Sequence, residues 1–317
     1  MQESNRLTWL AERQQGIGGS DVAPILGIPS YAGASSFQVY RSKTEEVRDD
    51  KETEAMYWGK IFEKDLIAEY GKRQGSPVTP NDSIVHHPDF PQLRGTVDAY
   101  VHDPEYGKGI LEAKYNPNAF NKWGHPDDHA SVSVPANYYV QVLHYMDVTG
   151  LPWADICVLK NDGKFDIYRI EDDPDYRLEN RARLLEWWDR YIIGEEVPEA
   201  EHEGDAHDKF PVGEPGKIMV ANDTVWGIID QMNIARGVHG SSSEDVKWLK
   251  TKLMEMMGEN EVIVDEDGKK LISWKNPSPT RRVDQSKLRE KYPEVYADCL
   301  TLNQNSRRFH VHLAKPQ

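Results

Sequence analysis

The sequence predicts an α/β fold, with a central mixed β-sheet flanked by helices and a C-terminal α+β extension. Three observations carry the prediction. Apolar residues recur at helical spacing, most clearly Phe62, Leu66 and Tyr70. Strand-like runs at 94–102, 109–115, 155–160 and 164–170 alternate with helical stretches. An acidic, proline-bearing stretch from Gly194 to Gly216 then separates two patterned regions. It places a boundary near residue 200, with a core of residues 1–200 and an extension of residues 201–317 made of helices and a small sheet.

Taken in order, the first informative stretch is RQQGIGGSDVAPILG, Arg13 to Gly27. Pro24 has no N–H and is tolerated only in the first turn of a helix, so with Asp21 or Ser20 as N-cap it falls at or near N3. Gly18 and Gly19 let backbone N–H groups approach a ligand closely, and a helix start adds partial positive charge. The stretch therefore reads as an anion-binding turn, with an ordinary capped helix as the plain alternative. Arg41–Thr53 is highly charged and reads as a surface loop or helix end. A helix is expected over Met56–Gly71, closed by Gly71. Strands Arg94–His102 and Gly109–Tyr115 are joined across Asp103–Lys108, a hairpin connection rich in Pro, Gly and charge.

Asn116–Pro135 lacks periodicity and carries three prolines, so it reads as a long loop. Ala136–Thr149 is helix-like, Asp155–Lys160 and Lys164–Ile170 form a hairpin across Asn161–Gly163, and Asp175–Ile193 is a long helix. Beyond the linker, helices Asp223–Ala235 and Glu244–Met257 precede a strand pair around Asp265–Gly268. A short helix near Asp284–Tyr292 and a final strand, Arg307–Leu313, close the chain.

Composition excludes several classes. The 317 residues are enough to bury a substantial core, and 38% hydrophobic with 29% charged content is ordinary for a globular chain. No apolar run reaches membrane-span length, and the N-terminus lacks the pattern of a secretory signal. Cys157 and Cys299 lie far apart, which excludes a disulfide framework and a four-thiolate cluster, including an iron–sulfur site. They read as buried thiols of a cytoplasmic protein. A formal net charge of −15 argues against a general nucleic-acid coat but not against an enzyme whose positive groups line one channel.

The chemistry is carried by the paired strands GTVDAYV and GILEAKY. Strand alternation puts Glu112 and Lys114 on one face with Ala113 pointing away into the core, and an antiparallel hairpin brings Asp98 beside Glu112. Two close carboxylates repel unless a cation lies between them, and hard oxygen ligands suit Mg²⁺. A lysine beside that site can orient or deprotonate an attacking water, or stabilise charge on a phosphate. These are the parts of metal-assisted phosphodiester hydrolysis. The plain alternative is a hairpin with a surface Glu–Lys pair and an exposed Asp.

The motif series resembles the lambda exonuclease family, also called YqaJ-type viral recombinases, within the PD-(D/E)xK nucleases. The first Asp followed by E-x-K fits Asp98 and Glu112-Ala113-Lys114; the preceding helical glutamate fits Glu63 in WGKIFEKDL; the Q-x-x-x-Y helix fits Gln141 and Tyr145 in QVLHY. The opening arginine, glycine-rich turn and serine fit Arg13 and GIGGSD, so five motifs fall in order over roughly Arg13–Thr149. Val97 stands where the superfamily often has proline, and SWKNPSPTRRVDQSKL through SRRFHV resembles, diffusely, the C-terminal extension of phage members.

The resemblance implies a PD-(D/E)xK core and a Mg²⁺-dependent 5′→3′ exonuclease. Such an enzyme degrades one strand of linear double-stranded DNA from a 5′-phosphorylated end, leaving 3′ overhangs for phage-type recombination by single-strand annealing. Asp98, Glu112 and the Ala113 carbonyl would bind metal, as two Mg²⁺ ions with Mn²⁺ as a substitute. Glu63 would assist the metal site or its water shell, Lys114 would position the nucleophilic water, and Gln141 would complete the catalytic set with Tyr145 in support. Arg13, Ser20, Thr96 and Gln141 would hold the terminal 5′-phosphate, the arginine fork matching phosphate oxygens bidentately. A homotrimeric ring around DNA, a single-strand annealing partner and a bacterial host cytoplasm are implied likewise. The alternatives are a PD-(D/E)xK endonuclease of restriction or repair type, and a catalytically silent DNA-end-binding scaffold.

Other features are weighed against plainer roles. His125 and His129 sit in a proline-bearing HPDDH stretch and read as loop residues rather than zinc ligands. Phe120 and Trp123 read as packing more than as base-stacking groups, and Trp187 and Trp188 as core or subunit contacts. Arg281, Arg282, Arg307 and Arg308 are candidate DNA-backbone contacts or ordinary solvated arginines.

Overall fold

Short polar side chains close the first turns of several helices. Ser35 accepts the Gln38 N–H, Thr53 that of Met56, Asp173 that of Tyr176, Asn222 that of Val225 and Ser243 that of Val246. Glycines in the left-handed region end two helices, Gly75 (φ 65°) and Gly150 (φ 68°). The computed structural model describes residues 3–46, 53–117, 123–240, 243–277, 280–283, 300–303 and 308–311. The chain divides into two units, Met1–Pro198 and Glu199–Gln317.

In the first unit, α1 (Glu3–Gln14), α2 (Gly19–Ile25), α3 (Ser36–Thr44) and α4 (Glu54–Gln74) precede β1 (Val78–Pro80), β2 (Val85–His86), β3 (Arg94–Gly95), β4 (Ala99–Asp103) and β5 (Gly107–Asn116). Helices α5 (Ala130–Ser133) and α6 (Ala136–Thr149) lead into β6 (Trp153–Lys160), β7 (Phe165–Glu171) and α7 (Pro174–Trp188). The main sheet has the order β1-β4-β5-β6-β7; only β5 and β6 run parallel, so it is mixed. β2 and β3 pair separately.

Strand alternation gives the sheet two apolar faces. Ile110, Ile156 and Val158 cluster with Val142, Leu143 and Met146 of α6. Ala99, Val101, Leu111 and Cys157 cluster with Leu66, Ile67 and Tyr70 of α4, and Ala113 packs against that second group. A third cluster joins α2, α6 and α7 through Val22, Val140, Leu184, Trp187 and Trp188. Trp187 and Trp188 are therefore core residues, with the Trp187 Nε1–H donating to Ser36 Oγ at 2.6 Å.

The second unit contains α8 (Glu203–Lys209), β8 (Ile218–Val220), α9 (Asp223–His239), α10 (Glu244–Met257), β9 (Val262–Val264), β10 (Lys270–Lys275), β11 (Thr280–Val283), β12 (Leu300–Asn303) and β13 (Arg308–Val311). Its sheet has the order β13-β10-β9-β8, with β11 and β12 paired apart. Val225, Ile229, Leu253, Met254, Ile272 and Trp274 form its core. Among the described residues no helix is long and apolar enough to cross a membrane.

Several expected boundaries differ, each for a local reason. The run 94–102 is not one strand. Asn81 takes the Asp98 carbonyl through its N–H at 3.0 Å and the Val97 carbonyl through Nδ2 at 3.1 Å, which replaces ladder pairing there. Gly71 does not close α4; the helix continues to Gln74, and the Gly75 N–H donates to the Gly71 carbonyl at 2.9 Å. The long helix after Asp173 changes at Asp189–Ile193 into a π-turn, the Gly194 N–H reaching the Asp189 carbonyl. The linker holds α8, capped by His202. The helix expected at Asp284–Tyr292 lies outside the described residues.

Candidate active site

The site grows from the point where the β4–β5 ladder stops. Ala99, the first residue of β4, pairs with Leu111 at the edge of the ladder, so Asp98 lies just before β4, opposite Glu112. Its Oδ2 accepts the Ala113 N–H at 2.8 Å, a donor that would otherwise face the unpaired edge of β5. Alternation along β5 turns Glu112 and Lys114 toward α6, where Gln141 and Tyr145 stand one turn apart on one face. Glu112 Oε1 accepts from Lys114 Nζ at 2.5 Å and from Gln141 Nε2 at 2.8 Å. Gln141 Nε2 also donates to Tyr145 Oη at 3.0 Å, and Lys114 Nζ lies 3.4 Å from Gln141 Oε1. The Lys114 ammonium sits over the Tyr138 ring, 4.9 Å from its centre.

The charges are coupled. Burial, then the Glu112 carboxylate, push Asp98 well above the usual carboxylate range, and Glu63 adds to the shift. Burial and Glu112 raise Glu63 as well, which places that α4 residue in the same field. Burial opposes the charge on Lys114, but Glu112 and Asp98 outweigh it and hold its pKa above the ordinary lysine value. These two carboxylates favour the ammonium form of Lys114. Tyr145 is also pushed up, by burial and by the same two carboxylates, so its hydroxyl stays neutral.

The donor set fits a hard divalent cation. Glu112 is 2% exposed, and its Oε2 is buried with no hydrogen-bond partner. Such an orphaned acceptor costs free energy unless a cation meets it. Among the described residues no group of three or more His, Cys, Asp or Glu side chains is placed to hold a metal ion by itself. An ion here would rest on Asp98, Glu112 and the Ala113 carbonyl, with water or substrate oxygens completing its shell, a common mode for Mg²⁺.

Arg13 and Ser20 also come together. The end of α1 presents Arg13, whose Nη2 donates to Ser20 Oγ at 2.5 Å. The expected cap is corrected here. Gly18 is the N-cap of α2, Asp21 stands at N3, and its Oδ2 accepts the Gly18 N–H at 2.8 Å. Pro24 consequently lies inside the helix rather than near N3. The Asp21 carboxylate already occupies the start of α2, so the groups of this corner that could meet an anion are Arg13 and Ser20 rather than the helix end.

Tyr145 joins this corner to the carboxylates. Its Cε1 would lie 2.5 Å from a Cβ placed on Gly19, and its Cδ1 2.6 Å from one on Gly95. Two glycines, from α2 and β3, thus let one ring edge press against backbone while its hydroxyl holds Gln141. Thr96 follows Gly95 and is half-buried. Sequence reasoning missed Lys43, whose Nζ lies 2.6 Å from Asp21 Oδ2, and Tyr138. A signal existed for Tyr138, one helical turn before Gln141; none existed for Lys43.

The remaining candidates take plainer roles. Trp123 stacks on Tyr138 at 5.6 Å, meets Tyr168 in a tilted contact at 5.0 Å and packs on the core. His125 and His129 are exposed, and His129 caps α5. Val97 is fully buried in the α6-side cluster. Arg281, Arg282 and Arg308 lie on described strands with undescribed side chains, and Phe120, Cys299 and Arg307 fall outside the described residues.

The chain is similar to several known proteins. The chain is 27% identical over 301 residues to the uncharacterized protein YqaJ of Bacillus subtilis (strain 168), covering 93% of this chain and 90% of that protein. Among solved structures it is similar to LHK-Exo, an alkaline exonuclease from Laribacter hongkongensis, at 21% identity and TM-score 0.46 over 59% of this chain and 93% of that one. A phage related exonuclease from Haemophilus somnus 129PT is similar at 13% identity and TM-score 0.44, over 57% and 96%. Residues 8–152 match the model of the YqaJ-like viral recombinase domain family.

Proposed function

We propose that this protein is a divalent-metal-dependent exonuclease that digests one strand of linear double-stranded DNA from a 5′-phosphorylated end. The observation that carries the reading is the meeting of Glu112, Lys114 and Gln141 in one hydrogen-bonded group, with Asp98 held on the intervening Ala113 N–H, beside an orphaned Glu112 oxygen. Asp98, Glu112 and the Ala113 carbonyl would hold the ion, Mg²⁺ or in its place Mn²⁺, and a second ion is part of the same proposal. When bound, the metal polarises a phosphoryl oxygen and makes water a stronger nucleophile.

The chain's own groups do the rest. Lys114, held as an ammonium, donates a hydrogen bond to the attacking water or to the developing charge on the phosphate. Gln141 fixes the orientation of Glu112 and of Lys114 through one amide, and Tyr145 fixes Gln141. Glu63 assists from α4. Arg13, with Ser20 and Thr96, holds the terminal phosphate and sets the register of cleavage, so each turnover releases a nucleotide and lengthens a 3′-ended single strand. Locally placed charge suffices despite the net −15, because screening confines each charge to about 8 Å at physiological salt.

The viral recombinase family supports a role in recombination by strand annealing. A homotrimeric ring, an annealing-protein partner and a bacterial cytoplasmic location belong to the same proposal. The test compares linear 5′-phosphorylated duplex with closed circular duplex, in Mg²⁺ and in EDTA. Digestion of linear DNA alone, abolished by EDTA, is expected. Equal attack on circles would favour an endonuclease, and activity in EDTA would remove the metal from the account.

A further inference from the structure

The Arg13–Ser20 corner has a liability, the Asp21 carboxylate beside it. Asp21 directly follows Ser20, is 8% exposed, and is tied to the backbone through Gly18. A phosphomonoester carries a charge of about −1.5 to −2 at pH 7. A buried carboxylate next to its seat would repel it, and would draw Arg13 toward itself. The structure supplies a balancing charge from elsewhere in the fold. Lys43, near the end of α3, places Nζ 2.6 Å from Asp21 Oδ2, with the two side chains only 3% and 11% exposed. The same ammonium donates to the Arg13 backbone carbonyl at 3.4 Å. Meanwhile the Arg13 guanidinium donates to Ser20.

We infer that Lys43 is a positioning residue of the terminal-phosphate pocket, cancelling the Asp21 charge so that the Arg13 guanidinium faces the DNA end. The inference rests on reading Arg13 and Ser20 as that pocket. Burial alone would raise Asp21, yet Lys43 first and Arg13 second hold its pKa below the usual range, so Arg13 is the cation next in line for this carboxylate. Without Lys43, Arg13 becomes its counter-ion and turns from Ser20. The pocket then loses its preference for an ionised end, while the Asp98–Glu112–Lys114 group, which Lys43 does not touch, stays assembled.

The test is the ratio of initial rates on linear duplex carrying a 5′-phosphate and on the same duplex carrying a 5′-hydroxyl. In Lys43→Met the ratio is expected to fall by at least about tenfold, the scale for uncovering a buried charge. Adding Asp21→Asn should restore it to within about threefold of wild type, because no charge is left to balance. A direct phosphate contact by Lys43 predicts no such rescue, and a merely structural role predicts no change in the ratio. If Lys43→Met does not fold, the double variant is compared with Asp21→Asn alone. A difference below about threefold is then expected, and a larger loss would assign Lys43 a direct contact and overturn the inference. A wild-type ratio of one overturns the pocket and this inference with it. A wild-type preference kept in Lys43→Met overturns the inference alone.

Discussion

Gly95→Ala perturbs the joint between the two halves of the site without touching a charged group. A Cβ there would meet Tyr145 Cδ1 at 2.6 Å and Cε1 at 2.8 Å, so reaching an ordinary carbon contact near 3.5 Å requires a shift of about 0.9 Å. Tyr145 is 5% exposed and packed in the α6-side core, so the ring has little room to yield. Overpacking of this kind costs about 1–3 kcal/mol. The Gln141–Tyr145 hydrogen bond, 3.0 Å in the native protein, would stretch past useful length, adding about 1 kcal/mol. Together that is roughly 2–4 kcal/mol, or a fall in Tm of about 4–16 °C for a unit of this size. Displacing Gln141 releases its hold on Glu112 and Lys114, and a misplacement near 1 Å costs on the order of 10²-fold in rate. Thermal melting and initial rates on linear duplex are the assays. Adding Tyr145→Leu removes the ring and should recover stability but not rate. A Gly95→Ala protein with native Tm and native rate would refute the reasoning.

The other expected outcomes are simpler. Lys114→Ala should abolish cleavage while fold and DNA-end binding persist; a fully active variant would remove Lys114 from the mechanism. Asp147→Asn should destabilise the first unit by about 3 kcal/mol at neutral pH, because Arg177 and Arg181 both bond this buried carboxylate. Burial alone would raise Asp147, but the two guanidiniums outweigh it and lower its pKa. Its stabilisation is therefore full above the unfolded value, about 3.9, and disappears as pH falls through the lower folded value. The gap between wild type and Asp147→Asn in denaturant melts should shrink on acidification below that point, and a gap that widens there would contradict the assignment.

How much was legible in the sequence depended on how local each interaction is. Asp98, Glu112 and Lys114 were readable because a short hairpin fixes register and alternation fixes the face. Gln141 and Tyr145 were readable because helical spacing puts them on one side of α6. Asp21 was named as a cap, but its partner Lys43 is contributed by another helix, and no periodicity links the two. The break before Asp98 depends on Asn81 capturing two carbonyls from across a loop, which a strand pattern at 94–102 cannot reveal. Gly19 and Gly95 carry no sign in the sequence that both were set by one tyrosine ring. Helix α8 hid in a stretch whose acidic, proline-bearing composition reads as linker.

The central claim is that Asp98 and Glu112 share one cation. Calorimetric titration of Mn²⁺ into the protein bound to a hydrolysis-resistant blunt 5′-phosphorylated duplex tests it most directly, with Asp98→Asn alongside. Saturable binding in the wild-type complex, lost in an equally folded Asp98→Asn complex, is the outcome the account requires. Identical Mn²⁺ binding by the two proteins, or none by the wild type, would contradict it.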